Sequence, residues 1–181
     1  MNAVVVYESV FGATRQIAQA IAEGLTVSVP TELVNVHDVT GSTLQGVDLL
    51  VVGAPNHGRR LPTPVSRAEA QKWPADPHRH VTLEPGSLES GMREWLEELM
   101  GVPTRGAAFA TRADINRFLS GSVAARLGRE LESLGATLLL PAEDFDVELA
   151  GPLVDGEVDR ARAWGRALGT AALQSPAAPT P

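Results

Sequence analysis

The residues Val4-Val5-Val6-Tyr7-Glu8-Ser9-Val10-Phe11-Gly12-Ala13-Thr14-Arg15-Gln16-Ile17-Ala18 run from an unbroken apolar strand, through a short Ser/Gly/Thr loop, directly into an amphipathic helix. Ile17, Ala18, Ile21, Ala22 and Leu25 recur at helical spacing, so the backbone amides of Val10 to Thr14 converge on a helix N-terminus. Such a terminus favours an anion. The hydroxyls of Ser9 and Thr14 add two donors, and Gly12 allows close backbone approach. No P-loop lysine follows, which excludes a Walker site. The alternative role for Ser9 is a turn-former that caps the first helix.

The same alternation continues along the chain. Apolar runs predict strands at 2–7, 31–36, 47–53, 105–110 and 136–140, and helical periodicity predicts helices at 13–25, 87–100, 121–134 and 156–173. Short, nearly all-apolar strands alternating with helices imply an α/β doubly wound parallel five-stranded sheet with helices on both faces. Gly24, Gly101 and Gly135 fall where C-terminal caps are expected, and Ser87, Ser120 or Ser122, and Asp155 where N-caps are. Leu88, Met92, Trp95, Leu96 and Leu99 form one core stripe, Val123, Leu127, Leu131 and Leu134 a second, and Trp164 joins Ala161 and Leu168 in a third. At 181 residues and 44% hydrophobic content, one domain over 1–173 is expected, followed by a disordered Pro/Ala-rich tail at 174–181.

Composition removes several function classes. With no cysteine there is no disulfide, thiolate metal site, iron–sulfur cluster or redox dithiol, so redox chemistry requires a borrowed cofactor. A net charge of −7 disfavours nucleic acid and is explained by solubility or by a basic partner surface. No apolar run is long enough for a membrane span, and the N-terminus opens on a strand rather than a signal peptide, so a cytoplasmic protein is expected.

The motif Tyr7-Glu8-Ser9-x-Phe11-Gly12-x-Thr14 resembles the FMN phosphate loop of the flavodoxin family. The segment Val47-Asp48-Leu49-Leu50-Val51-Val52-Gly53-Ala54-Pro55-Asn56-His57 resembles that family's third strand, whose Gly-x-Pro end starts a loop against the isoalloxazine ring. The resemblance implies a flavodoxin-like sheet of order 2-1-3-4-5, with the binding crevice at the switch point between strands one and three. It implies FMN as cofactor, with Ser9, Val10, Phe11, Gly12, Ala13 and Thr14 around the ribityl phosphate. Pro55, Asn56, His57, Gly58, Arg59 and Arg60, with Thr111 and Arg112 after strand four, then line the ring, and Thr111 and Asn116 meet its polar edge. Phe11 stands where the family commonly has Ser or Thr, and Ala13 where a polar side chain is frequent. The 56–60 loop has no Trp or Tyr, so His57, Arg59 or Trp73 is the expected substitute for a stacking aromatic. Arg59, Arg60 or Arg112 near a reduced flavin would stabilise its negative charge and favour paired two-electron transfer.

A connection at 57–85, with five prolines and the cations Arg59, Arg60, Arg67, Lys72 and Arg79, is too long to be a simple linker and reads as a lid, a partner-facing flap or a solvated insertion. Within it Pro64 to Trp73 fits a short helix with Pro64 at its first position. His78 and His80, with His57 and Glu84, are a weak metal pattern, and no metal is expected. The loop after strand one lacks the Gly-x-Ser-x-Gly elbow, so no catalytic residue is expected. The resulting expectation is an FMN-binding redox protein that passes electrons from a reductase or NAD(P)H to a protein or small-molecule acceptor. If an enzyme, it is an FMN-dependent oxidoreductase of quinone or NAD(P)H reductase type. The alternative is a flavin-free module of the same fold that binds a protein partner or another phosphorylated ligand.

Overall fold

The computed structural model describes residues 1–79, 81–113, 122–148 and 151–175. His80, Asn116, Ser120 and the tail at 176–181, all assigned expectations above, lie outside the described residues. Strands β1 (Ala3–Tyr7), β2 (Thr31–Asn35), β3 (Leu49–Pro55), β4 (Arg105–Ala113), β5 (Thr137–Leu138) and β6 (Glu143–Val147) form one parallel sheet. Its order is β2-β1-β3-β4-β5, with β6 also paired to β4. This is the expected order.

The helices are α1 (Ala13–Thr26), α2 (Pro64–Ala70), α3 (Met92–Glu98), α4 (Val123–Ser133) and α5 (Glu157–Gln174). Successive residues of a strand face opposite sides, so the apolar runs of β1, β3 and β4 feed two cores. On one face Val5, Val51, Phe109 and Phe145 pack under Ile17, Ile21 and Leu25 of α1 and Ala161 and Leu168 of α5. On the other, Val4, Val6, Leu50 and Val52 pack under Met92 and Trp95 of α3 and Leu127 and Leu131 of α4. The two layers make the sheet doubly wound.

Several expectations change. The strand expected at 136–140 is only Thr137–Leu138, and the edge resumes as Glu143–Val147. Pro141 lies in the gap, where its missing N–H interrupts the ladder. The acidic β6 segment lacks the apolar run that marks the other strands. The helix expected from residue 87 begins at Met92, after turns at 85–88, which leaves Leu88 exposed rather than in the core. Gly156, not Asp155, is the N-cap of α5, whereas Ser122 caps α4 by accepting from the Ala125 amide at 2.9 Å.

Gly24, expected as a C-cap, lies inside α1. A Cβ there would stand 2.1 Å from the Arg162 carbonyl oxygen of α5, and one on Gly165 would stand 2.3 Å from the Ile21 carbonyl oxygen. The glycines let two helix backbones touch. Gly135, at φ 103°, is the left-handed residue expected after α4.

Candidate functional site

The carboxyl ends of β1, β3, β4 and β6 meet at the point where the strand order reverses, and a crevice opens there. The loop from β1 enters α1 through Gly12, whose φ of 91° is left-handed backbone. Ser9 Oγ accepts the Gly12 N–H at 3.1 Å, so Ser9 does form the turn. Among the amides of Val10 to Thr14, only that of Gly12 has an acceptor among the described residues. The hydroxyls of Thr14 and Thr111 bond to each other at 2.7 Å, tying this loop to β4. One hydroxyl proton is spent in that pair. The other, and the proton of Ser9, stay available as donors.

The second loop folds on itself. The His57 amide donates to the Arg60 carbonyl at 3.0 Å, and the Arg59 amide donates to Asn56 Oδ1 at 2.7 Å. Arg59 takes a φ of 73°, a left-handed conformation costly for a side-chain-bearing residue. The Asn56 amide donates to the Thr111 carbonyl at 2.8 Å, which fixes this loop to β4. His57 Nδ1 lies 3.2 Å from Ser66 Oγ, and burial together with the charge of Arg67 pushes its pKa from 6.5 down to about 4. The imidazole is therefore neutral at physiological pH.

A cavity of about 190 Å³ lies between these loops. Nine of the fourteen expected site residues line it: Val10, Phe11, Ala13 and Thr14 from the first loop, Pro55, Asn56 and His57 from the second, and Thr111 and Arg112 from β4. Ser9 is buried beneath the first loop, and Gly58, Arg59 and Arg60 point to solvent. Gly12 instead lines an adjoining groove of about 450 Å³, bounded by Ala13, Arg15 and Gln16 on one side and Val81 to Pro85 on the other. Phe11, Ala13, Val81 and Gly151 border both spaces, so the cavity and the groove are neighbours.

The three arginines expected near the ring are divided between the cavity and solvent. Arg112 alone of the three arginines lines the cavity, and its guanidinium is ion-paired to Asp146 of β6 at 2.8 Å. Glu148 also lines the cavity, so its charge is mixed rather than basic. The walls from Val147, Glu148 and Gly151 carry no signal in the sequence, because the acidic strand that delivers them has no apolar run.

The 57–85 segment folds back over the first loop. Thr63 caps α2 by accepting the Ser66 amide, and Pro64 takes the first helical position as expected. Trp73 then lies on Phe11 with ring centroids 5.3 Å apart and planes 14° apart, and the Arg79 guanidinium covers the Trp73 ring at 3.9 Å. Trp73 lines the cavity, which makes Phe11 an anchor for an aromatic wall rather than a lost polar donor. Farther along, the Glu84 amide donates to the Val10 carbonyl at 2.9 Å, and its carboxylate pairs with Arg15. No group of His, Asp or Glu among the described residues is arranged to hold a metal.

Beneath the crevice, Arg67 of α2 is only 2% exposed and reaches Glu8 Oε1 at 3.2 Å and Glu94 Oε2 at 2.9 Å. Glu8 Oε2 accepts the Met92 amide at 2.9 Å. A Cβ at Gly91 would fall 2.4 Å from the Arg67 guanidinium, so a glycine is required beside the triad. This network fastens the flap helix to β1 and α3. Sequence spacing gives no sign of it, because its members are 59 and 27 residues apart.

Comparison with known proteins agrees with this architecture. Residues 4–67 match the family described as Flavodoxin domain. A flavodoxin from the domain Archaea superposes with a TM-score of 0.64 at 17% identity, covering 96% of this chain and 99% of that one. A flavodoxin, WrbA-like protein from Agrobacterium tumefaciens gives 0.60 at 19% identity, with 96% and 98% covered. Oxidised flavodoxin 1 from Bacillus cereus gives 0.60 at 18% identity, with 94% and 98% covered. No curated protein matches the sequence. The chain has the flavodoxin-like α/β fold. The sequence match to that family covers the first third of the chain, and the likeness in fold extends over nearly its whole length. No helix among the described residues is long and apolar enough to cross a membrane.

Proposed function

We propose that the protein binds FMN in this crevice and serves as a redox protein. The observation that carries the reading is the loop at the N-terminus of α1, where the amides of Val10, Phe11, Ala13 and Thr14 have no acceptor among the described residues, beside a cavity at the switch point of the sheet. The donor set suits a phosphate monoester: four amides, two hydroxyl protons and a left-handed glycine. The flavin, when bound, supplies the electron-transfer chemistry that a chain without cysteine cannot.

The chain's own residues bind, orient and exclude water. Phosphate is received at Ser9, Val10, Phe11, Gly12, Ala13 and Thr14. Pro55, Asn56 and His57 form one wall of the ring site, Thr111 and Arg112 its floor, and Trp73 a lid-side wall. Gly58, Arg59 and Arg60 lie at the rim, where they face a redox partner or a small-molecule acceptor. His57 is uncharged and Arg112 is paired, so neither places a free positive charge against the ring. Support for two-electron over one-electron transfer is thereby removed, and the reading is confined to flavin-dependent redox function.

The test is a titration of the apo-protein with FMN and with riboflavin, followed by flavin fluorescence. Tight FMN binding with much weaker riboflavin binding is the expected result. Failure of both to bind would leave a flavin-free module of the same fold.

A further inference from the structure

Glu84 stands in an unusual place for a carboxylate. It borders the groove formed by the first turn of α1, and its Oε1 would lie 3.5 Å from a Cβ on Gly12. The position is fixed through the backbone, since the Glu84 amide donates to the Val10 carbonyl at 2.9 Å. Oε1 is bound to Arg15 Nε, whereas Oε2 is buried and has no hydrogen-bond partner among the described residues. A buried acceptor left unbonded is costly, so this carboxylate is not placed for the stability of the fold alone. The Trp73–Phe11 stack clamps the same flap onto the same loop from the cavity side.

From this arrangement we propose that Glu84 governs the affinity of the Ser9–Thr14 loop for a phosphate monoester dianion, by repelling the dianion and by withholding Arg15 from it. The inference rests on the FMN reading of the crevice. The positive end of α1 favours an anion, and in the ligand-free protein Glu84 is the anion beside it. Arg15 is the cation of the groove, and Glu84 neutralises it. A phosphate entering the groove meets a paired, net-neutral Arg15–Glu84 couple instead of a free guanidinium. Removing the Glu84 charge ends a like-charge repulsion and frees Arg15 to pair with the phosphate. FMN is thus held as an exchangeable ligand, less tightly than the amide loop alone would hold it.

The experiment compares wild type, Glu84→Gln and Arg15→Gln in FMN and riboflavin titrations, with thermal melts to verify that each variant is folded. The Glu84→Gln change preserves side-chain size and the backbone bond to Val10. It should tighten FMN about tenfold and leave riboflavin within about twofold, because only FMN carries the phosphate. Arg15→Gln should weaken FMN, since it leaves the Glu84 charge unopposed. FMN binding with an unchanged FMN-to-riboflavin ratio in folded Glu84→Gln would overturn the role of Glu84 alone. No binding of either flavin by any of the three proteins would overturn the FMN reading, and this inference with it.

Discussion

Thr14 Oγ1 and Thr111 Oγ1 lie 2.7 Å apart, so the first turn of α1 and the end of β4 share a buried hydrogen bond across the crevice. Both residues are at most 3% exposed. Replacing Thr111 by Val keeps the shape and leaves the Thr14 hydroxyl unpartnered, so Thr111→Val should lower stability by about 1–3 kcal/mol. The double change to Val at both positions should recover part of that loss. Urea denaturation of the two singles and the double measures the coupling, and strictly additive losses would show that the hydroxyls do not bond.

Arg67 is the counter-charge of Glu8, and truncating it should be among the most damaging changes outside the core. A buried pair broken on one side costs about 3–5 kcal/mol, because the remaining charge is left without compensation. Arg67→Met should therefore melt far below the wild type, and Glu8→Gln added to it should restore much of the difference. Burial raises the Glu8 carboxyl above its ordinary 4.5 despite the Met92 amide and Arg67. As pH rises through 4.5 the unfolded chain releases this proton first, so the Glu8 contribution to stability falls until the folded group ionises as well. Glu8→Gln lacks that slope. Its stability relative to the wild type should improve as pH rises from about 4 to about 7, and a deficit that widens instead would contradict the sign.

Much of this architecture is legible in the sequence, and the reason is periodicity. Strands β1, β3 and β4 are buried on both faces, so their residues are apolar almost without interruption, and α1 announces itself by Ile17, Ile21 and Leu25. The two crevice loops follow directly from the ends of those strands. What escapes such a reading is non-periodic. β6 carries Glu143, Asp144 and Asp146 because it is an edge, where charge deters strand pairing, and acidic residues hide a strand from an apolar count. The Glu8–Arg67–Glu94 triad and the Arg15–Glu84 pair join residues made neighbours only by the return of the flap. Gly24 passes for a cap because a helix-ending glycine and a helix-packing glycine look alike until the second helix is in place.

That second role gives a prediction of unusual sign. Alanine in place of an interior helical glycine ordinarily stabilises by about 0.5–1 kcal/mol. At Gly24 the added Cβ would meet the Arg162 carbonyl oxygen at 2.1 Å, so α1 and α5 have to separate. Overpacking of this kind costs about 1–3 kcal/mol, and Gly24→Ala should lower the melting temperature. Gly165→Ala should do the same through Ile21. A rise in melting temperature for either variant would mean that the helices are not in backbone contact.

Trp73 gives a contrast to Glu84 on the flavin side. Its ring is a wall of the cavity, in contact with Phe11 and the Arg79 guanidinium. If the isoalloxazine occupies that cavity, Trp73→Ala should weaken FMN and riboflavin to the same extent, by about 0.5–1.5 kcal/mol for the loss of an aromatic contact. A change confined to FMN would place Trp73 on the phosphate side instead.

His57 offers a spectroscopic test of the crevice that needs no ligand. Burial and the nearby Arg67 charge hold its pKa at about 4, against an ordinary 6.5. The unfolded chain therefore takes up this proton first as pH falls from 6.5 toward 4, and the His57 contribution to stability is lost over that interval. The slope is opposite in sign to that of Glu8, which gains on acidification down to 4.5. Wild-type protein shows the sum of the two, and the variants separate them: His57→Gln should retain more of its stability at about pH 5 relative to about pH 7 than the wild type does. Imidazole resonances followed by NMR should include one, absent from His57→Gln, that titrates near 4. A midpoint for His57 near 6.5 would mean that the loop from Pro55 to Arg60 opens to water and leaves the Ser66 contact unmade.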